Sequence, residues 1–229
     1  MNKLGIEVRE ELFRLQDKKY QQFHSNLSPG VDNIIGVRVP VLRKFAKELF
    51  DKHSFSFLFS NIGNDYYEEI MIKGMLIGFL KDIDEVIKYS KLYIPLISNW
   101  GLCDTFCAGL KITKKNKQKM RDFILSYLNS SLEFEVRFLL VMILDYYIEE
   151  EYLEDNFKIF DSIKLDDYYV SMALSWAISI CFVKFYDETV DYFKRCKINN
   201  FSYNKAITKA CESYRLDNKQ KEQLKLLRK

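Results

Sequence analysis

Only eight glycines and three prolines occur among the 229 residues of this chain. A chain built mainly from β-strands needs many turns, and turns draw heavily on these two residue types. Apolar residues instead recur at helical spacing, as they do across residues 65–79. The scarcity of turn residues and the helical spacing together predict an all-α fold whose helices are joined by short polar loops.

The same spacing predicts helices along most of the chain. Pro40 suits the first turn of a helix, and a helix that runs toward Pro95 should end near it. Ser98 or Asn99 is placed to cap the helix that begins at Trp100. The predicted helical segments are residues 8–23, 41–50, 65–79, 84–97, 133–148, 149–163, 166–185 and 202–214.

Length and composition favour one domain. A chain of 229 residues can bury a sizeable core without disulfides, and no linker is visible, so we predict a single domain over residues 1–229. No stretch approaches 18 uncharged apolar residues, and the N-terminus has no apolar run for export. The net charge of +3 permits nucleic-acid binding without requiring it.

The five cysteines contain no CxxC pair. Only His24 and His53 could join them as metal ligands, and both lie far away in sequence, so metal binding is a weak alternative. Buried, reduced cysteines on helices are the favoured interpretation, and they are typical of a cytosolic protein. The nucleotide-binding motifs GxGxxG and GxxxxGK and the acyl-transfer motif GxSxG are absent from the sequence.

The chain has two tryptophans, and both belong to one spaced row of residues. Trp100 and Asp104 are four residues apart, which places the indole and the carboxylate on one helix face. Arg137 follows Trp100 by 37 residues, and Trp176 follows Arg137 by 39. Steps of about 40 residues are typical of helical-hairpin repeats, in which equivalent positions line one surface. This row predicts a site on a curved α-solenoid.

Each residue of the row also has a simpler interpretation. A tryptophan in a helix is often part of the core. Asp104 alone is compatible with a solvated helix position or an ion pair, and Arg137 could bridge two helices through Glu133 or Asp145. As a group, the residues suit a cationic substrate, because a carboxylate stabilises developing positive charge and indole faces attract cations and pack on sugars. An N-alkylated purine nucleotide in DNA is such a substrate, because its base carries a positive charge and its deoxyribose becomes positively charged when the base leaves.

A strongly basic stretch from Lys111 to Arg121 leaves two alternatives open. It is either a solvated loop and helix start or a contact to phosphates. Lys114, Lys115 and Lys117 are the candidate phosphate ligands in this stretch.

At these residues the chain resembles the AlkD-type alkylpurine DNA glycosylases of bacteria, which are built from HEAT-like helical repeats. The resemblance is carried by GVRVP at residues 36–40, LRK at 42–44, Trp100 to Asp104, Arg137, and residues 173–176. It implies a catalytic Asp104, with Trp100 and Trp176 on the DNA groove and Arg137 on a phosphate. Arg38, at a position that is polar in other members, is a further candidate DNA contact.

The resemblance implies an enzyme that releases 3-methyladenine and 7-methylguanine from duplex DNA carrying alkylated bases, without a metal or a cofactor. We expect a monomer with no membrane association, in the cytoplasm with the nucleoid. The chain departs from the family at Ser171, Met172 and Ser179, where the family has basic residues near the second tryptophan. Lys184 or Arg38 would have to compensate.

A second interpretation comes from a different class of protein. Helical solenoids are often binding surfaces, so the chain could be a non-catalytic helical-repeat module that binds DNA structures or a protein partner. The two interpretations separate at Asp104, because a module that only binds a polyanion gains nothing from a carboxylate on its surface.

Overall fold

The computed structural model describes residues 2–229, and the all-α prediction is confirmed. Fourteen α-helices and three short 3-10 helices account for the regular structure of these residues, with no strand among them. The chain divides into two compact units, Met1–Met120 and Arg121–Lys229. The prediction of a single domain and that of a curved, HEAT-like solenoid remain predictions.

The first unit holds seven helices and the start of an eighth. The helices are α1 (Lys3–Arg14), α2 (Lys18–Leu27), α3 (Val39–Lys52), α4 (Phe55–Asn61), α5 (Tyr67–Ile77), α6 (Ile83–Tyr93), α7 (Trp100–Gly109) and α8 (Lys117–Leu125). Helix α5 packs between α3 and α7, while α4 and α6 pack on the helices that precede them. Every residue of α5 is buried, which makes this helix the centre of the unit.

The second unit repeats this arrangement. Its helices are α9 (Glu133–Tyr146), α10 (Leu153–Ser162), α11 (Tyr168–Lys184), α12 (Tyr186–Phe193), α13 (Asn200–Glu212) and α14 (Asn218–Leu226). Helix α11 packs between α9 and α13, as α5 does between its neighbours. Packing of alternate helices, each with its own hairpin partner, is typical of helical repeats.

Local sequence signals placed several helix ends correctly. Helix α3 carries Pro40 in its first turn, and α6 ends at Tyr93, just before a 3-10 turn that contains Pro95. Asn99 caps α7, since its side-chain oxygen accepts a hydrogen bond from the Leu102 N–H at 3.0 Å.

Two predicted helices were wrong in extent. Residues 8–23 form no single helix, because the carboxylate of Asp17 caps a new helix by accepting from the N–H groups of Lys19 and Tyr20. Residues 149–163 begin as a 3-10 turn, and the α-helix starts only at Leu153. In both cases a local capping or turn preference overrode the apolar pattern.

The cysteines match their prediction in part. Cys103, Cys107 and Cys181 are buried, whereas Cys196 and Cys211 are half-buried, and no disulfide joins the cysteines. Cys196 also lies beyond the end of α12. Within residues 2–229, no helix has the length and apolarity that a membrane crossing requires.

Candidate active site and nucleic-acid interface

Trp100 is the first residue of α7, and its ring is held by the end of another helix. The indole Nε1 donates a hydrogen bond to the carbonyl oxygen of Leu27, the last residue of α2, at 3.1 Å. Trp100 is half-buried, as is Asp104 one turn further along α7. The structure therefore brings this predicted pair together on one partly open helix face.

Tyr67 lies against this part of α7, and the sequence analysis missed it. A Cβ atom at Gly101 would come within 2.5 Å of the Tyr67 hydroxyl, so only glycine allows this close approach. Burial raises the pKa of Tyr67, and the nearby carboxylates of Glu68 and Asp104 add to the effect. The phenol is therefore a neutral hydroxyl close to Asp104, and glycine between Trp100 and Asp104 was the sequence signal for it.

A buried imidazole packs beside Tyr67. The rings of His24 and Tyr67 meet edge to face, with centroids 4.9 Å apart. Burial lowers the pKa of His24, so this side chain is neutral near pH 7 and adds no positive charge beside Tyr67.

A buried carboxylate holds the loop at residues 35–37, where the GVRVP segment begins, and the last two residues of that segment already belong to α3. Glu68 accepts hydrogen bonds from the N–H groups of Ile35, Gly36 and Val37 at 2.9, 2.7 and 3.1 Å. Gly36 has a φ of +99° and lies against the backbone of Gln21, a position open only to glycine. Burial raises the pKa of Glu68, and the three backbone N–H groups oppose that shift. The sequence analysis missed Glu68, whose signal was an acid within an apolar helix.

Arg38 immediately precedes α3, and its guanidinium interacts with other side chains of the protein. Its Nε donates to the carboxylate of Asp17 at 2.9 Å, and its guanidinium lies 5.2 Å from the centre of the Tyr20 ring. The pKa of Asp17 is lowered, first by the Tyr20 N–H and then by Arg38. The prediction that Arg38 contacts DNA stays a prediction, and such a contact has to compete with Asp17.

Some cations of the basic stretch are exposed to solvent, and others interact with side chains of the protein. Lys111, Lys114 and Lys115 are exposed on a 3-10 helix (Lys111–Lys115), and Lys117 is half-buried at the start of α8. Two other cations of the stretch are engaged within the protein. Lys119 pairs with Asp84 at 2.6 Å, and the buried Arg121 lies over the rings of Tyr147 and Tyr152.

Two adjoining cavities on the first unit have cationic walls. One, of about 590 Å³, is lined by Arg43, Lys81, Lys111 and Lys115 together with uncharged residues at the ends of α5 and α7. The other, of about 600 Å³, shares Arg43 and Phe79 with it and adds Lys44 and Lys47. No acidic side chain lines either cavity. We call this combined surface the basic groove, and the sequence analysis found only its Lys111–Lys115 edge.

Trp176 belongs to the second unit and lies on α11. Most residues of this helix are buried, yet Trp176 is 37% exposed. Its ring forms one wall of a small pocket of about 160 Å³, lined also by Ser179, Lys209 and Glu212. The sequence prediction that Trp176 is available to a ligand is compatible with this exposure, and its role stays a prediction.

Arg137 connects two helices of the second unit. It is 5% exposed, and its Nη1 donates to the carbonyl oxygen of Tyr169 at 2.8 Å. Glu133 accepts a hydrogen bond from the Tyr169 N–H at 2.7 Å. Side chains of α9 therefore bind both the backbone N–H and the backbone carbonyl of Tyr169, near the start of α11. Arg137 therefore bridges α9 and α11 through a backbone carbonyl, while the alternative bridge through Glu133 or Asp145 stays a prediction. The predicted phosphate contact of Arg137 remains a prediction.

Lys184 was one of two residues expected to supply charge near Trp176. Its Nζ donates to the carbonyl oxygen of Ile148 at 2.9 Å, at the far end of α11. Lys184 is exposed, and this hydrogen bond holds its ammonium against the backbone of Ile148, so its role in DNA binding stays a prediction.

Comparison with known families agrees with these observations. The family model described as DNA alkylation repair enzyme matches residues 8–179, which include Trp100, Asp104, Arg137 and Trp176. The chain therefore belongs to the DNA alkylation repair enzyme family, and its role is in the repair of alkylated DNA. A search of curated proteins finds no match.

Proposed function

We propose that this protein is an AlkD-type DNA glycosylase that hydrolyses the N-glycosidic bond of cationic N3- and N7-alkylated purines in duplex DNA. The observation that carries the proposal is the pairing of Trp100 and Asp104 on one partly open face of α7, inside the region that matches the repair family. An indole beside a carboxylate is suited to a substrate whose sugar becomes positively charged.

The proposed reaction breaks the bond between C1′ of the deoxyribose and the purine nitrogen. The bonding electrons leave with the base and neutralise its positive charge, while water adds to C1′, gives up a proton to the solvent and leaves an abasic site. Asp104 would stabilise the oxocarbenium-like sugar between these events and could orient the water. A single well-placed charged group of this kind supplies about 10² to 10³ in rate, or roughly 3 to 4 kcal/mol. That is a sufficient share, because a cationic base is already a good leaving group.

The tryptophans would act on the DNA backbone. The hydrogen bond to Leu27 holds the half-buried indole of Trp100, which is proposed to pack on a deoxyribose. Trp176 is proposed to pack on the backbone in the same manner from the second unit. Arg137 is proposed to hold a phosphate, a contact that has to compete with its hydrogen bond to the carbonyl oxygen of Tyr169.

The basic groove is proposed to hold DNA phosphates near α7. Its walls carry cations and no carboxylate, which is the charge pattern that a polyanion requires. Lys111 and Lys115 continue from the end of α7, the helix on which Trp100 and Asp104 lie. Lys114 and Lys117 would extend the contact along the same stretch. We further propose that the protein acts as a monomer without metal or cofactor, in the cytoplasm with the nucleoid.

Replacing both Lys111 and Lys115 by Ala should flatten the slope of log affinity against log salt for duplex DNA by about two units. Each lysine that neutralises a phosphate contributes about 0.9 to that slope. Fluorescence anisotropy on undamaged duplex DNA at several salt concentrations measures it. The matched control is Lys91→Ala, an exposed lysine on α6 outside the groove. A slope that is equal in the double variant and the wild type would exclude the basic groove from DNA binding.

The experiment that tests the function is release of free methylated base from alkylated duplex DNA by the purified protein. The alternative, a non-catalytic module, predicts binding without release.

A further inference from the structure

We propose that Lys205 and Lys209 of α13 form a phosphodiester contact beside Trp176. The inference rests on the proposed function, because it assigns Trp176 to the DNA backbone and asks which charge accompanies it. Helix α13 begins at Asn200, beyond residue 179, where the match to the repair family ends. The contact would therefore belong to the C-terminal part of this chain that the family match does not cover.

The register between α11 and α13 places these lysines. At the start of the two helices, the rings of Tyr168 and Phe201 have centroids 6.3 Å apart. Eight residues further along each helix, Trp176 and Lys209 line the same pocket. Equal steps along both helices mean that α11 and α13 run side by side in the same direction. Lys205 lies one turn before Lys209 on the same helix.

A buried hydrogen bond also joins the two helices. The hydroxyl of Ser175 donates to the carbonyl oxygen of Ser202 at 3.2 Å, and both residues are fully buried. The contact between α11 and α13 is therefore held in the core of the second unit.

The charges around the pocket favour α13 as the source of the cation. The α11 residues on its wall are Trp176, Ser179, Ile180 and Val183, none of which is basic. Ser179 is engaged with its own helix, since its hydroxyl donates to the carbonyl oxygen of Trp176 at 2.7 Å. Lys209 thus supplies the positive charge of the pocket wall.

The wall also contains an acid, Glu212, one turn beyond Lys209 on α13. Within residues 2–229, Glu212 forms no ion pair with Lys209, and neither lysine of the proposed contact pairs with any other carboxylate. Lys205 and Lys209 are both half-buried, and Lys209 lines the same pocket as the Trp176 indole. A deoxyribose packed on that indole would have a phosphate directly next to it, within reach of a lysine side chain.

The test measures binding of undamaged duplex DNA by the full chain across a range of salt concentrations. Replacing both Lys205 and Lys209 by Ala should flatten the slope of log affinity against log salt by about two units, since each contact contributes about 0.9. At 0.1 M salt this corresponds to a loss of affinity of roughly tenfold per lysine. A variant with Arg at both positions should retain the wild-type slope, which separates charge from any effect on folding.

The matched control is Lys219→Ala, which removes one exposed lysine of α14 in the same unit. An unchanged slope in the double Ala variant overturns the inference. A flattening of the slope by Lys219→Ala equal to that caused by each lysine of the double variant also overturns it. The result is separable from the catalytic proposal. Base release with an unchanged slope in the double variant defeats only the lysine contact. A flattened slope without any base release from alkylated DNA defeats only the proposed chemistry.

Discussion

Replacing Asp104 by Asn should lower the rate of base release by about 100-fold or more, while affinity for duplex DNA holds or rises. The change removes the charge and nearly keeps the shape of the side chain. A carboxylate that stabilises a cationic transition state is worth at least this factor. The same carboxylate near phosphates costs affinity in the ground state, so its removal should not weaken binding.

Single-turnover release from duplex DNA with one N7-methylguanine measures the rate, and anisotropy on the same duplex measures affinity. The matched control is Glu85→Gln, which removes a negative charge from an exposed position on α6 of the same unit. This control should release base at the wild-type rate. Release by Asp104→Asn at the wild-type rate would show that another residue supplies the chemistry.

Replacing Glu68 by Ala should lower the free energy of unfolding by about 3 kcal/mol or more. Three backbone N–H groups donate to this buried carboxylate, and each buried donor left without a partner costs about 1 to 3 kcal/mol. The loop at residues 35–37 would lose its anchor, and with it the fixed start of α3, the helix that brings Arg43 to the basic groove.

Urea unfolding followed by circular dichroism measures this loss. Glu48→Ala, at an exposed position of α3, is the control and should change stability by no more than about 0.5 kcal/mol. A loss below about 1 kcal/mol for Glu68→Ala would mean that the loop finds other acceptors and that Glu68 does not hold it.

The sequence predicted those parts of the fold and site that depend on neighbouring residues. The Asn99 cap, the proline in the first turn of α3 and the shared face of Trp100 and Asp104 all follow from spacings of four residues or fewer. The break between α1 and α2 has an equally local cause, the cap at Asp17, but the apolar pattern across it continued and obscured it.

Features that depend on packing between distant segments could not be predicted from the sequence. Glu68 accepts hydrogen bonds from a loop more than thirty residues earlier in the chain. An acid within an apolar helix does not show by itself that its carboxylate is a buried hydrogen-bond acceptor. The basic groove takes its cations from segments distant in sequence, and the alignment of Lys209 with Trp176 depends on how α13 packs on α11. The bond from Arg137 to the backbone of α11 likewise needed the packed helices to be seen.

The most direct test of the proposed function uses the wild-type protein, duplex DNA with a single N7-methylguanine, and EDTA to remove divalent metal ions. The free base is separated by chromatography and identified by mass spectrometry. The proposed function predicts that free 7-methylguanine forms faster than its spontaneous loss, at a rate proportional to protein concentration, with an abasic site left in the DNA. Binding of this duplex without release above the spontaneous rate would contradict it and favour a non-catalytic DNA-binding module.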